Sequence, residues 1–162
     1  MRIRTLFMSA LAVFAASLLL ISCAREYEAQ SACEILFDVM KRTDGLPYGI
    51  IYRSDASEGE ESYMSSSLLL TLYGEDASSL VSRTDEFAVY LSSFEKPYEI
   101  AVFKCFSVSD AYEIAAMCLS RAERLRVLLH STDWRALADS ARVEQSGRVV
   151  VMTVTGQTQN NV

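Results

Sequence analysis

Residues 6 to 21 form an apolar run that confines folding to whatever follows it. Arg2 and Arg4 precede the run, and only Ser9 and Ser17 interrupt it. Its 16 residues would extend roughly 24 Å as a helix, short of the ~30 Å hydrocarbon core of a bilayer. A basic start and a short apolar stretch favour an export signal over a permanent span. No acidic residue occurs before Glu26. The expected division is therefore a signal at 1–22, a tether at 23–30, one folded domain at 31–155 and a polar, frayed tail at 156–162.

The run ends in Leu20-Ile21-Ser22-Cys23. This resembles the lipobox of bacterial lipoprotein precursors, which has a large aliphatic at −3, a small residue at −1 and then cysteine. The chemistry accounts for the residue types. The Cys23 thiol is the nucleophile that takes a diacylglyceryl group, and the small Ser22 lets a peptidase reach the Ser22–Cys23 bond. Cys23 would then be the mature N-terminus, and two acyl chains hold where one gives only marginal binding. Two other readings stay open: ordinary signal cleavage after Ala24, and an uncleaved anchor.

From Cys23 onward there are 140 residues with 13 basic and 21 acidic side chains, a formal charge of −8. That length suffices for one domain with a real core. The charge disfavours nucleic acid and anionic headgroups as partners, so the acyl chains would have to do the holding. Apart from Cys23 the cysteines are Cys33, Cys105 and Cys118. Their long spacings contain no CxxC. Three half-buried thiols are the plain reading, a Cys105–Cys118 disulfide is open, and a metal or redox site is a third option.

Ser31 and Glu34 form a capping box ahead of Ala32, Ile35, Leu36, Val39 and Met40 at helical spacing, so a helix is expected over 32–44. Tyr48–Arg53 reads as a strand, 54–62 as an acidic loop, Ser65–Tyr73 as a short helix stopped by Gly74, and Asp76–Ser82 as a further turn. In 86–92 and 99–105 apolar residues alternate, which predicts an antiparallel strand pair. Ala111, Ile114, Ala115, Cys118, Ala122, Leu125 and Leu129 build one stripe of a helix over 109–130. A short helix over 133–139 and a hairpin turning at Ser146-Gly147 complete the set. The expected class is α+β: an antiparallel sheet of four to five strands with helices packed on one face.

Tyr98-Glu99-Ile100-Ala101-Val102-Phe103-Lys104, then Ser109-Asp110-Ala111 with a long helix bearing Arg121, then the apolar strand Gly147–Val154, together resemble an uncharacterised domain family of small lipoproteins found mainly in Gram-positive anaerobes. Its members commonly carry a lipobox, an EIAVFK-like strand and a GRYVVL-like strand. The resemblance covers about 33–155 and rests on packing patterns. It implies no activity, substrate, cofactor or catalytic residue. Cys105, Cys118 and the serine-rich stretch at 62–67 depart from the family pattern.

Other residues invite chemistry but have plainer readings. His130 falls at the C-terminal end of the long helix, where a partial positive charge suits the macrodipole. Cys118 lies twelve residues earlier, about 18 Å along that helix, too far for a Cys-His pair. Asp55, Glu58, Glu60 and Glu61 group in one loop, but Gly59 does not stand at the EF-hand position, so the loop reads as solvated. Arg121, Arg124 and Arg126 are expected to complement the helix dipole and solvate one face, with anion binding as the sharper alternative. Trp134 is expected to anchor a core. GxSxG, HExxH, P-loop and dinucleotide fingerprints are absent from the sequence.

The reading favoured is a lipid-anchored extracytoplasmic protein that binds a partner or assists envelope assembly without catalysis. Its partners would be the membrane, through a diacylglyceryl anchor, and an envelope protein. No cofactor is expected. The alternatives are an envelope enzyme with an unrecognised site and a thiol- or metal-handling lipoprotein. An enzyme predicts a cleft with converging titratable groups, and a binding module predicts an apolar surface or a free sheet edge.

Overall fold

A computed structural model describes residues 27–92 and 96–156. The signal, Ser22 and Cys23 lie outside the described residues, as do 93–95 between the two expected central strands and the tail from 157. The elements are α1 (Ala32–Lys41), β1 (Gly49–Arg53), α2 (Ser66–Tyr73), α3 (Ala77–Val81), β2 (Thr84–Ser92), β3 (Glu99–Cys105), α4 (Val108–Leu129), α5 (Arg135–Asp139), β4 (Arg142–Ser146) and β5 (Val149–Val154). The class is α+β, as expected. The strands form one antiparallel sheet of five, in the order β1-β2-β3-β5-β4.

Strand alternation divides the core in two. Val89, Ala101, Phe103, Cys105, Val150 and Met152 point to one face, where α2–α5 pack. Ala88, Tyr90, Ile100, Val102 and Val149 point to the other, where α1 packs. The sequence places all helices on one face, but α1 covers the opposite one. The reason lies in its own pattern: Ile35 and Leu36 are both wholly buried, and each such side chain contributes roughly 1.5–3 kcal/mol. The central strands are apolar on both faces, so each face needs a cover.

Local signals set the element ends. The Ser31–Glu34 capping box is present in both directions, with Ser31 N–H donating to Glu34 at 2.7 Å and Glu34 N–H to Ser31 at 3.2 Å. Ser65 and Ser107 cap α2 and α4 through their hydroxyls. Gly147, at φ +58°, makes the β4–β5 turn, a conformation other residues adopt at a cost. Trp134 packs half-buried against the α4 face of the core, and His130 caps the C-terminus of α4.

The domain begins before Ser31. Tyr27–Ala29 are helical, and Tyr27 packs on the α1 face. Glu28 pairs with Arg148 at 3.7 Å, and Lys104 Nζ donates to the Gln30 carbonyl at 2.7 Å. Cys23 lies four steps along the chain before Tyr27, a reach of at most about 14 Å.

Gly49 starts β1, where a Cβ would overlap the Leu91 carbonyl oxygen and the Tyr90 ring. The Tyr90 hydroxyl donates to the Pro47 carbonyl, so that ring has little room to yield. Gly49→Ala is expected to cost about 1–3 kcal/mol by overpacking. Urea denaturation measures this, and an unchanged midpoint would refute the close approach.

Candidate functional site

A mostly apolar pocket of ≈ 420 Å³ opens on the α4 face, at the start of β1 and β3. Ile50 and Tyr52 of β1, Leu91 of β2, and Leu68 and Leu72 of α2 form its walls, with Pro97 and Tyr98 beside them. Tyr48 stands at the mouth, 84% exposed. Strand alternation explains the wall: Ile50, Tyr52, Leu91 and Glu99 all point to the same face.

Glu99 and Arg121 also line this pocket. Glu99 is 1% exposed, the one buried charged residue among the described residues. Its parity with Ala101, Phe103 and Cys105 turns it inward. Arg121 Nη2 lies 2.9 Å and Nε 3.0 Å from Glu99 Oε2, and the Tyr73 hydroxyl donates to Oε1 at 2.7 Å. Three charge-assisted bonds therefore satisfy the carboxylate, which burial requires. Phe103 meets the Tyr73 ring edge-on at 5.9 Å and holds it in place. Burial, and then the charge of Glu99, push the Tyr73 hydroxyl well above its ordinary range, so it stays protonated and donates.

Arg121 and Arg124 depart from the expected solvated face, whereas Arg126 stands in the last turn of α4 as expected. Arg121 turns into the core to meet Glu99. The Arg124 guanidinium donates to the Leu72 carbonyl, capping the end of α2 just before Gly74, where cations suit the exposed carbonyls. Arg126 pairs with Glu123 at 2.7 Å and also reaches the Ala141 carbonyl.

The cysteines do not share a centre. The structure holds Cys33, Cys105 and Cys118 as free thiols, where the sequence left a Cys105–Cys118 disulfide open. Cys105 and Cys118 are buried on the α4 face, whereas Cys33 packs on the α1 face with the sheet between. Burial pushes the Cys105 thiol up to about 11 and the Cys118 thiol higher still, with Glu99 adding to the latter. Protonated, enclosed thiols are poor nucleophiles. Among the described residues no three His, Cys, Asp or Glu side chains are grouped to hold a metal ion. The acidic loop is exposed, and Asp55 pairs loosely with Arg53 at 3.5 Å.

These thiols give a pH signature. Their folded pKa values exceed the ordinary value of 9.0, so above about pH 9 the unfolded chain binds fewer protons and stability falls as pH rises. The slope is up to about 1.4 kcal/mol per pH unit for each buried thiol. Tyr73 adds to it above pH 10. Urea titrations at stepped alkaline pH should show this fall, and Cys118→Ala should flatten it. An equal slope in the variant would show that Cys118 ionises freely in the fold.

Sheet edges differ in what they offer. Arg53 N–H points away from β2 and donates to the Ser62 carbonyl at 2.9 Å, while Ser54 N–H turns back to Phe87. By alternation the backbone groups of Ile51 also face outward, with no partner among the described residues. No family model, curated protein or solved structure matches the chain.

Proposed function

We propose that the protein is a lipid-anchored binding module, held at the extracytoplasmic face of the membrane through Cys23, with the Glu99–Arg121 pocket as its binding site. The observation that carries this is the pocket itself: apolar walls with a few converging polar groups are the usual make-up of a ligand site. Binding is favoured over catalysis because the polar groups are committed. The Glu99 carboxylate accepts three bonds from Arg121 and Tyr73, and Tyr73 is held protonated, so these groups are bonded to one another. The lipobox-like Leu20–Cys23 and the resemblance to small lipoproteins support the anchor. Tyr27 and Gln30 engage the domain, so the short free segment keeps that domain near the surface.

A photocrosslinking residue at the exposed Tyr48 position tests the site in intact membranes. Discrete adducts are expected, and they should vanish when Leu68→Trp fills the pocket. The same adducts with the pocket filled would place binding elsewhere.

A further inference from the structure

The charge balance of the pocket floor selects among ligands, and this inference rests on the binding reading above. Arg121 spends Nε and one Nη2 hydrogen on Glu99. Its Nη1 has no partner among the described residues, although Arg121 lines the pocket and its side chain is only 13% exposed. The floor therefore keeps one charged donor group to spare, and a ligand that brings an acceptor oxygen would satisfy it. A carboxylate there would stand beside the buried Glu99 charge, which already neutralises Arg121, and like charges in one low-dielectric site oppose each other. An ammonium group would bring no acceptor and would meet the guanidinium. We infer that the pocket takes a neutral ligand with an apolar body and an uncharged carbonyl, of amide or ester type, that accepts from Arg121 Nη1.

The placement of the pocket indicates where such a ligand comes from. The chain enters the domain at Tyr27–Gln30, against Lys104 and Arg148. Glu99 sits at the other end of β3, five residues from Lys104, which is roughly 17 Å along the strand. On the proposed anchor, Cys23 tethers one end of the sheet and the pocket opens at the other. The ligand is then drawn from the aqueous side rather than from the bilayer, which favours an apolar amino-acid or peptide amide over a membrane lipid ester.

The test uses the full chain in phosphatidylcholine nanodiscs, with isotope-labelled leucine methyls read by NMR. N-acetylleucinamide, N-acetylleucine and leucinamide share one side chain and differ in charge. The neutral amide is expected to shift Leu68, Leu72 and Leu91 and to bind at least about tenfold more tightly than the acid or the amine. Leu68→Trp at a half-exposed position should abolish the shifts, and Thr71→Trp on the same helix gives an independent block. Shifts from the nanodisc lipid alone that saturate the site would overturn the aqueous source. Preference for the acid, or indifference to charge, would overturn the neutral class and leave the binding reading standing. No pocket shift from any probe would overturn both.

Discussion

Arg121→Met is expected to destabilise the domain by about 3–5 kcal/mol, because it leaves a carboxylate buried without its cation. Glu99 is enclosed between β3, α2 and α4, and water has almost no access to it. The Tyr73 hydroxyl alone cannot compensate a full charge. The loss should be largely recovered in the double variant Glu99→Gln, Arg121→Met, since the neutral amide still accepts from Tyr73 and no charge remains to be desolvated. Equilibrium urea denaturation of the single and double variants gives the coupling directly. Equal losses in the two would mean that the arginine stabilises by packing its stem, and the pair would lose its role as the organiser of the pocket floor.

The second large effect concerns the proposed anchor. Cys23→Ala is expected to abolish labelling by a palmitate analogue, since no other residue in the lipobox-like run can accept the diacylglyceryl group. Without that modification the 22-residue signal should not be removed at Ser22. Membrane retention would then depend on an apolar run too short to span comfortably, and the acidic domain adds no electrostatic attraction to compensate. Labelling and fractionation read separately matter here. If both are unchanged in the variant, acylation at Cys23 is wrong.

Much of the architecture was legible in the chain because period and capping are local properties. Alternation alone placed β2 and β3, the Ser31–Glu34 box started α1 at the right residue, and the three-four stripe predicted α4 within one residue at each end. The side of the sheet that α1 covers was not legible, since an apolar stripe states that it needs a partner surface and not which one. The pocket floor was half visible. Parity with Ala101 and Phe103 already turns Glu99 inward, and Arg121 falls on the α4 stripe, three residues after Cys118 and four before Leu125. Reading each as an ordinary polar residue missed that two misplaced charges on facing apolar surfaces are each other's partners. Tyr73 carried no such signal, because its hydroxyl meets Glu99 only through the tertiary packing of α2. The domain-side end of the tether is not legible for a similar reason: Tyr27 and Glu28 look like linker until Arg148 and the α1 face are there to receive them.

The most direct test of the account is the mass of the mature N-terminal peptide. Trypsin cuts after Arg25, so membrane-extracted protein processed at Ser22 should release Cys23-Ala24-Arg25 carrying a diacylglyceryl group. The account predicts that lipidated tripeptide and no peptide from residues 1–22. An unmodified N-terminus at Arg25, or a chain still beginning at Met1, would contradict it.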